Sequence, residues 1–375
     1  MEIICCNSDS DAAQEAFRLR YEVYCGEYNV NDPHVDHKNK IYTDPIDKLA
    51  RIYVAIKEGR AIATVRSISD KDCNFKDVLE SSTYKALGID KFLGAHSGSL
   101  AFSERFAISP DSRGSYAAGL VTAKMYQDYL ADNTNFVFSL CAPYLFDFYM
   151  QLGFHMYAES VCKDTGLLSP IVLPVRDWQH LKSVRSPLFK QVKDQFIPEK
   201  VHPSITWFYQ NYSSSIDEFV SKCDEHTLEM VLELSKKEEL DIQERVNIFN
   251  GMTETDVKDL IQPINILNIS AGQEIIKNKQ ANDEMFIIIH GSVVRSLDES
   301  CPPQFRLSAG ETFGEISMLA RTPRYGYYFA SVDTKLAVIS RQNLSKIMKT
   351  NQDLATKLLL NISKTLALKL LHTNV

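Results

Sequence analysis

No apolar run in this chain reaches the length a helix needs to cross a bilayer, so no membrane span is expected. Met1 to Asn7 has neither a charged start nor an apolar stretch of useful length, so no secretory leader is expected. Basic residues are not in excess. The 41 Lys and Arg against 48 Asp and Glu leave a net charge of −7, with no basic run to offset it, which argues against nucleic acid as a partner. Cys-x-x-Cys is missing from the eight cysteines, and Cys5-Cys6 is their only close pair. Free thiols in a reducing cytoplasm are therefore expected, not a disulfide framework. His34-Val35-Asp36-His37 comes nearest to a metal pair, but no further ligands stand at standard spacing. It reads as solvated loop, and no metal is expected. What is present is ordinary for a globular chain, 45% hydrophobic and 24% charged, and 375 residues suffice for two or three domains.

The most informative stretch is Phe313-Gly314-Glu315-Ile316-Ser317-Met318-Leu319-Ala320-Arg321-Thr322-Pro323-Arg324. Gly314 lets the backbone turn without a Cβ clash. The next residues can begin a short helix whose free N–H groups face an anion. Glu315 can accept from a ribose hydroxyl, and Arg324, after the rigid Pro323, can fork onto phosphate oxygens.

This stretch resembles the phosphate-binding cassette of the cyclic-nucleotide-binding domain family: Phe-Gly-Glu, a small and an apolar residue, then Pro-Arg. The resemblance implies that Gly314, Glu315, Ile316, Ser317, Arg324 and Tyr325 hold cyclic AMP or cyclic GMP. Tyr325 stands where the family has a small residue, which bears on the pocket and the choice of base. Ala271 to Ile276 and Met285 to Val293 match early strands of the family, with Lys279 replacing a common turn Gly.

The N-terminal half reads, in order, as a helix from Asp11 to Tyr24, strands Ala50–Ile56 and Ala61–Ser67 around a hairpin turn at Lys57-Glu58-Gly59-Arg60, and a longer loop region. A strand Leu100–Ile108, a turn at Pro110–Ser115, a helix Tyr116–Leu130 and a strand Asn135–Ala142 follow. A short helix Leu145–Leu152 is closed by Gly153. This order resembles a GNAT-class N-acyltransferase from about Phe17 to Asp177. Tyr149-Met150-Gln151-Leu152-Gly153-Phe154 matches the class signature Tyr-x-x-Leu-Gly-Phe. Arg113, Gly114 and Ser115 stand at the turn where the class binds the donor's pyrophosphate, although only Arg113 and Ala118 fit its usual pattern.

Arg20-x-x-x-Tyr24, Asp44-x-x-Asp47, Arg66 and Ser103-x-Arg105-Phe106 have the order and spacing seen in acyl-homoserine-lactone synthases and related N-acyl-amino-acid synthases. The resemblance implies that Arg20, Asp44, Asp47, Arg66 and Arg105 shape the amino-substrate site and that the donor is acyl-CoA or acyl carrier protein. Val30 replaces an aromatic residue, and Phe102 stands where those enzymes carry a Glu. Glu104 is adjacent, and strand alternation points it away from Ser103 and Arg105. These departures leave an amino acid, a polyamine or a protein lysine open as acceptor. The required chemistry is attack of a deprotonated amine on a thioester. Asp44 or Asp47 would serve as base, backbone N–H groups would polarise the carbonyl, and Tyr149 would protonate the leaving thiolate. The same charges could instead form a structural ion network.

Leu173–Asp177 reads as the last transferase strand. A Pro- and Lys-rich joint follows, then an amphipathic stripe at Ile216, Phe219, Val220, Cys223, Thr227, Met230, Val231 and Leu234. Leu354, Leu358, Leu359, Ile362, Leu366 and Leu370 give the C-terminal helix an apolar stripe, a lid over a bound base or the seam of a homodimer. No DNA-reading helix pair follows before Val375, which counts against a transcription factor. The expected fold is α+β: a GNAT-like domain over residues 1–182, a helical joint over 183–245, and a jelly-roll β-barrel over 246–375. The expected function is an N-acyltransferase governed by cyclic nucleotide. A protein-lysine acetyltransferase under the same control and a non-catalytic binding module are the alternatives.

Overall fold

The computed structural model describes residues 1–27, 30, 32–95, 98–163, 166–216, 218–236, 247–280, 284–298, 303 and 305–373. The expected boundary at 245/246 lies outside the described residues. Two compact units divide the chain. Residues 1–141, 147–158 and 169–216 make the first, and residues 142–146, 159–168 and 217–375 make the second.

The first unit is built on a twisted mixed sheet. Its strands are β1 (Glu2–Cys6), β2 (Arg51–Lys57), β3 (Arg60–Ser69), β4 (Ser99–Ile108), β5 (Thr134–Cys141), β6 (His155–Met156) and β8 (Gly166–Pro174), whose Gly166–Leu168 start pairs with β7 (Val161–Lys163) within the second unit. The order is β1-β2-β3-β4-β5-β8-β6, with β7 paired to the start of β8. Among the described residues, only the β4–β5 pair is parallel. Helix α1 (Asp11–Arg20) starts at Ser10, whose Oγ accepts from the Ala13 N–H, and it buries Ala13, Ala16, Phe17 and Leu19 against the sheet. Past Arg20 the chain widens into a π-helical turn over Tyr21–Glu27, not the continued α-helix expected to Tyr24. Helix α2 (Ala117–Ala131) and helix α3 (Phe146–Leu152) follow β4 and β5, and Gly153 ends α3 at φ +106°.

Residues 70–98 hold more structure than the loop region expected there. Two short helices, Phe75–Val78 and Ser81–Ala86, bring Phe75 and Tyr84 into the core, and Leu87, Ile89 and Phe92 follow them in. Each helix spans about one turn, too short for a 3.6-residue pattern to register. Helix α4 (Pro203–Tyr212), within the expected joint, also packs here: Tyr212 stacks on Phe92 with centroids 5.1 Å apart.

Two irregularities in β4 shape the site. Its ladder with β5 runs only from Ser99 to Phe102, so the strands part from Ser103 onward. Its ladder with β3 shifts register between Thr64 and Arg66, opposite Arg105, which lies at φ +56°. That is a β-bulge, which re-aims the side chains beside it.

The second unit begins with β9 (Val220–Lys222), α5 (Glu225–Lys236) and α6 (Glu254–Ile261). Strand and helix therefore share the stripe expected to be one helix. Then come β10 (Asn265–Ile269), β11 (Glu274–Ile276), β12 (Glu284–His290), β13 (Ser292–Ser296), β14 (Phe305–Ser308), β15 (Thr312–Phe313), the short helix α7 (Glu315–Ala320), β16 (Tyr327–Ala330) and β17 (Thr334–Ser340). Among the described residues they form two antiparallel sheets, β9-β10-β17-β12-β15 and β11-β16-β13-β14, the two-sheet arrangement of the jelly roll expected, with no closed barrel among them. Gly291, between β12 and β13, turns at φ +85°, where a Cβ would lie 2.5 Å from the Asp333 carbonyl oxygen. Helices α8 (Arg341–Thr350) and α9 (Gln352–Thr373) close the unit. The apolar stripe of α9 is spent inside it: Leu354, Leu358 and Ile362 are buried in its core, while Leu370 stays exposed. Among the described residues, no helix is long and apolar enough to cross a membrane.

Candidate functional site

The charged residues of the first unit meet at the bulged end of β3 and β4. Asp44-Pro45-Ile46-Asp47 begins a 3₁₀ turn whose capping box fixes both carboxylates. Asp44 Oδ1 accepts from the Ile46 N–H at 3.0 Å, and Asp47 Oδ2 accepts from the Asp44 N–H at 2.9 Å. Arg66 forks onto Asp44 at 2.6 and 2.9 Å and reaches Asp47 at 3.0 Å. Arg20, from the end of α1, donates to Asp47 Oδ1 at 2.7 Å. Arg105 donates to Asp44 Oδ2 at 3.0 Å and to the Tyr42 hydroxyl, with its guanidinium 4.3 Å from the Tyr42 ring centroid. All five charged residues singled out from the sequence thus form one cluster.

Glu104 joins them. The bulge at Arg105 cancels the alternation that would have turned Glu104 away, and its Oε1 accepts from Arg66 at 2.6 and 3.1 Å. The expected opposite orientation of Glu104 is therefore corrected. Asp32 and Tyr42 also belong, with the Tyr42 hydroxyl donating to Asp32 at 2.8 Å. Sequence spacing held no signal for either, because Asp32 lies in irregular chain and Tyr42 ends a strand of only two residues, Ile41–Tyr42.

The cluster is almost wholly buried: Arg20, Asp47 and Arg66 each expose 1%. Burial pushes the Asp44 and Asp47 carboxyls up, but the surrounding guanidinium groups outweigh it and hold both below the usual carboxylate range. Burial lowers Arg20 and, with the nearby Arg66 charge, outweighs Asp47; its Nε and Nη2 have no hydrogen-bond partner among the described residues. Arg66, pulled by Glu104 and both aspartates, stays above the ordinary arginine range despite burial. Asp44 and Asp47 are therefore poor proton acceptors. Glu104, its side chain 27% exposed, is the more accessible carboxylate.

The rest of the site surrounds the opening between β4 and β5. Tyr149, on α3, is buried, and burial pushes its phenol up. Its ring lies 5.2 Å from that of Phe154. At the head of α2, Arg113 donates to Glu27 at 2.6 Å, Gly114 turns at φ +78°, and Ser115 Oγ accepts from the Ala117 N–H. Gly114 and Gly119 both face open space, and Tyr116 caps the helix without a side-chain bond. An anion can reach the N–H groups of this 15-residue helix.

In the second unit, Gly314 turns at φ +88° between β15 and α7, and a Cβ there would lie 2.4 Å from Arg324 Nη1. Arg324 is 3% exposed and donates to the carbonyls of Gly314, at 2.6 Å, and Glu284. Its own N–H donates to the Gln280 carbonyl at 2.8 Å, while Lys279 donates back to the Arg324 carbonyl at 2.9 Å. Lys279 lies at φ +65°, so the left-handed turn persists without the usual glycine. Glu315 is 2% exposed, and its Oε1 accepts from Lys369 of α9 at 2.7 Å. Lys369 also donates to the Thr312 carbonyl at 2.8 Å. Ser317 is buried beneath the turn, whereas Ile316 and Tyr325 are exposed. The Arg295 guanidinium stands 5.5 Å from the Tyr325 ring centroid. This cradle has a buried cation, a buried carboxylate and an open aromatic face.

Comparison with known proteins matches a domain in each unit. A family model for the GNAT acetyltransferase domain matches residues 19–123, and one for the cyclic nucleotide-binding domain matches residues 266–351. The chain is 31% identical over 84 residues to the cAMP-dependent protein kinase type I-alpha regulatory subunit of Mesocricetus auratus, covering 21% of this chain and 48% of that protein. It spans only 28% of another curated relative, a protein of Rhodopseudomonas palustris described as a potassium channel. Among solved structures, a CoA-dependent acyl-homoserine lactone synthase aligns at 15% identity and a TM-score of 0.38, over 50% of this chain and 95% of that one. A cyclic nucleotide-binding domain from Methylobacillus flagellatus KT aligns at 22% identity and a TM-score of 0.34, over 41% of this chain and 84% of that one. The chain therefore carries a GNAT-type acetyltransferase domain in its first unit and a cyclic nucleotide-binding domain in its second.

Proposed function

We propose that this chain is an N-acyltransferase that moves an acyl group from acyl-CoA or acyl carrier protein to an amine of amino-acid type, under control of a cyclic nucleotide, cyclic AMP in the first place. The observation that carries the reading is the placement of the Arg20–Asp47–Arg66–Asp44–Arg105 cluster, with Glu104, at the point where β4 leaves β5. A strand without a neighbour on one side offers backbone N–H groups to a thioester carbonyl.

The step is an acyl exchange. The amine nitrogen forms a bond to the carbonyl carbon, the C–S bond breaks, and its electron pair leaves on sulfur. The amine proton passes to Glu104, directly or through water, and the thiolate takes a proton on departure. Tyr149 is the group proposed to supply it, although burial makes its phenol a weaker acid. Arg113, Gly114, Ser115 and the head of α2 would hold the donor's phosphates.

For the effector, Arg324 would take the cyclic phosphate and Glu315 the ribose, with Gly314, Ser317 and Ile316 shaping the turn and Tyr325 lying beside the base. A ligand governs a reaction only through unequal affinity for two arrangements. Lys369 supplies such an inequality, because a ribose hydroxyl would compete with it for Glu315. The test is acyl transfer by the full chain with and without saturating cyclic AMP or cyclic GMP. Unchanged rates with both would remove the control. Rates of zero throughout, with ligand binding intact, would leave a binding module.

A second reading, a protein-lysine acetyltransferase under the same control, draws on one observation. The apolar space beside Ser103 is small, with about 20 Å³ of free volume.

A further inference from the structure

The second unit takes in more than the C-terminal part of the chain. Residues 142–146 and 159–168, two excursions from the sheet of the first unit, also belong to it. In sequence between them lies Asp147–Ala158, which returns to the first unit with most of α3, Tyr149 included. The segment proposed to supply a proton to the leaving thiolate is thus tied, at both of its ends, to chain of the second unit.

Both ties are fastened inside that unit. At the first, Asn265 Nδ2 of β10 donates to the Pro143 carbonyl at 3.2 Å. The second is the hairpin of β7 with the start of β8. There Ser270 Oγ donates to Glu159 at 2.5 Å, and the Gln273 amide donates to the Ser160 carbonyl. The Gln280 amide donates to Cys162 Sγ at 2.9 Å and to the Lys163 carbonyl. Gln280 is 1% exposed, so water does not stand in for these bonds when they break. From Ser169 onward β8 runs in the first unit, where Ile171 and Val172 pair with Met156 and His155 of the tied segment.

Gln280 also holds the cassette. Its carbonyl accepts from the Arg324 N–H at 2.8 Å, and its Oε1 accepts from the Lys277 N–H at 2.9 Å, which closes the turn where Lys279 donates to the Arg324 carbonyl. The Arg324 guanidinium rests on the Gly314 and Glu284 carbonyls, and a cyclic phosphate would compete with both for it. Arg324 therefore has two arrangements, and one residue, Gln280, bonds both to its backbone and to the hairpin.

Resting on the reading of the chain as an acyltransferase under cyclic nucleotide control, we infer that the control runs through Gln280, which couples Arg324 to the 159–168 hairpin and so sets the position of α3. Gln280 is a positioning residue, acting through the hairpin on Tyr149. A displacement of about 1 Å in a reacting group can cost roughly a hundredfold in rate, so a small shift of α3 suffices.

The experiment uses the full chain with cyclic AMP or cyclic GMP, whichever binds more tightly, at a concentration that calorimetry shows to saturate. Hydrogen exchange of Asp147–Ala158 is measured with and without ligand, beside thiol release from acetyl-CoA with mixed amino acids as acceptor. Both are repeated on Gln280→Ala and Gln273→Ala, after a check of cooperative unfolding. Gln273→Ala loosens the hairpin at another point and keeps the test open should Gln280→Ala fail to fold. In the natural chain the ligand is expected to change exchange in this segment at least threefold, and each variant should lose at least half of that change with ligand still bound. A thiol-release rate that responds to ligand while exchange in the segment does not, or a full exchange response in folded Gln280→Ala, overturns the route and leaves the control standing. A rate and an exchange pattern that both ignore bound ligand overturn the control and the route together.

Discussion

The two charged sites satisfy their buried groups in opposite ways. In the first unit, side chains satisfy side chains. Arg66 alone holds Asp44, Asp47 and Glu104, and Arg20 and Arg105 close the set. In the second unit, Arg324 rests on two backbone carbonyls and Glu315 on one lysine from the last helix. Mutually paired charges lock a site into one arrangement, because every member loses its partner if another moves. Charges held by replaceable partners leave room for a ligand to exchange with them. The first arrangement suits a rigid reaction site and the second a sensor.

The sharpest way to break this comparison is Arg66→Ala. Three carboxylates would lose their shared cation, and about 3–5 kcal/mol of stability should go with it. Denaturant unfolding measures this, and a loss under 1 kcal/mol would mean the network is not what holds this corner. Arg324→Ala comes next. Loss of a charge-assisted contact to phosphate should cost about 1.5–3 kcal/mol of cyclic AMP affinity. Calorimetric titration reads it directly, and undiminished binding would remove Arg324 from the site.

Acid provides a third comparison. Asp44 and Asp47 have depressed folded values, so their contribution to stability is full above the unfolded carboxylate value of about 3.9 and is lost as pH falls below it through the folded values. Each unit of depression corresponds to about 1.4 kcal/mol. Unfolding followed from pH 6 to pH 2.5 should steepen below about pH 4, and Asp47→Asn should flatten that slope. An identical slope in the variant would contradict the assignment. The smallest effect is expected of Lys369→Ala. Without its competitor, Glu315 should accept a ribose more readily, and cyclic AMP should bind roughly twofold to fivefold more tightly, since a partly exposed ion pair contributes up to about 1 kcal/mol. Weaker binding would place Lys369 among the ligand's own contacts.

Much of this was legible in the chain. Arg20, Asp44, Asp47, Arg66 and Arg105 are far apart in sequence yet meet, because each sits at a fixed place on a regular element or in a capping box. Glu104 was misjudged because alternation assumes an unbroken ladder, and a bulge at one residue reverses it. Asp32 and Tyr42 escaped notice because neither irregular chain nor a two-residue strand has a period to read. The buried segment from Phe75 to Phe92 escaped for a related reason: its apolar residues divide between helices of about one turn each.

The sequence by itself determined the two kinds of domain, the cassette from Phe313 to Arg324, and the residue types available for chemistry. These depend on local spacing, turn residues and capping, which are written in consecutive positions. Only the tertiary structure decided which carboxylate is accessible, how small the apolar cavity is, and that Lys369 sits on Glu315. Those depend on contacts between residues tens of positions apart, and the register and packing that set them exist only when the chain is folded.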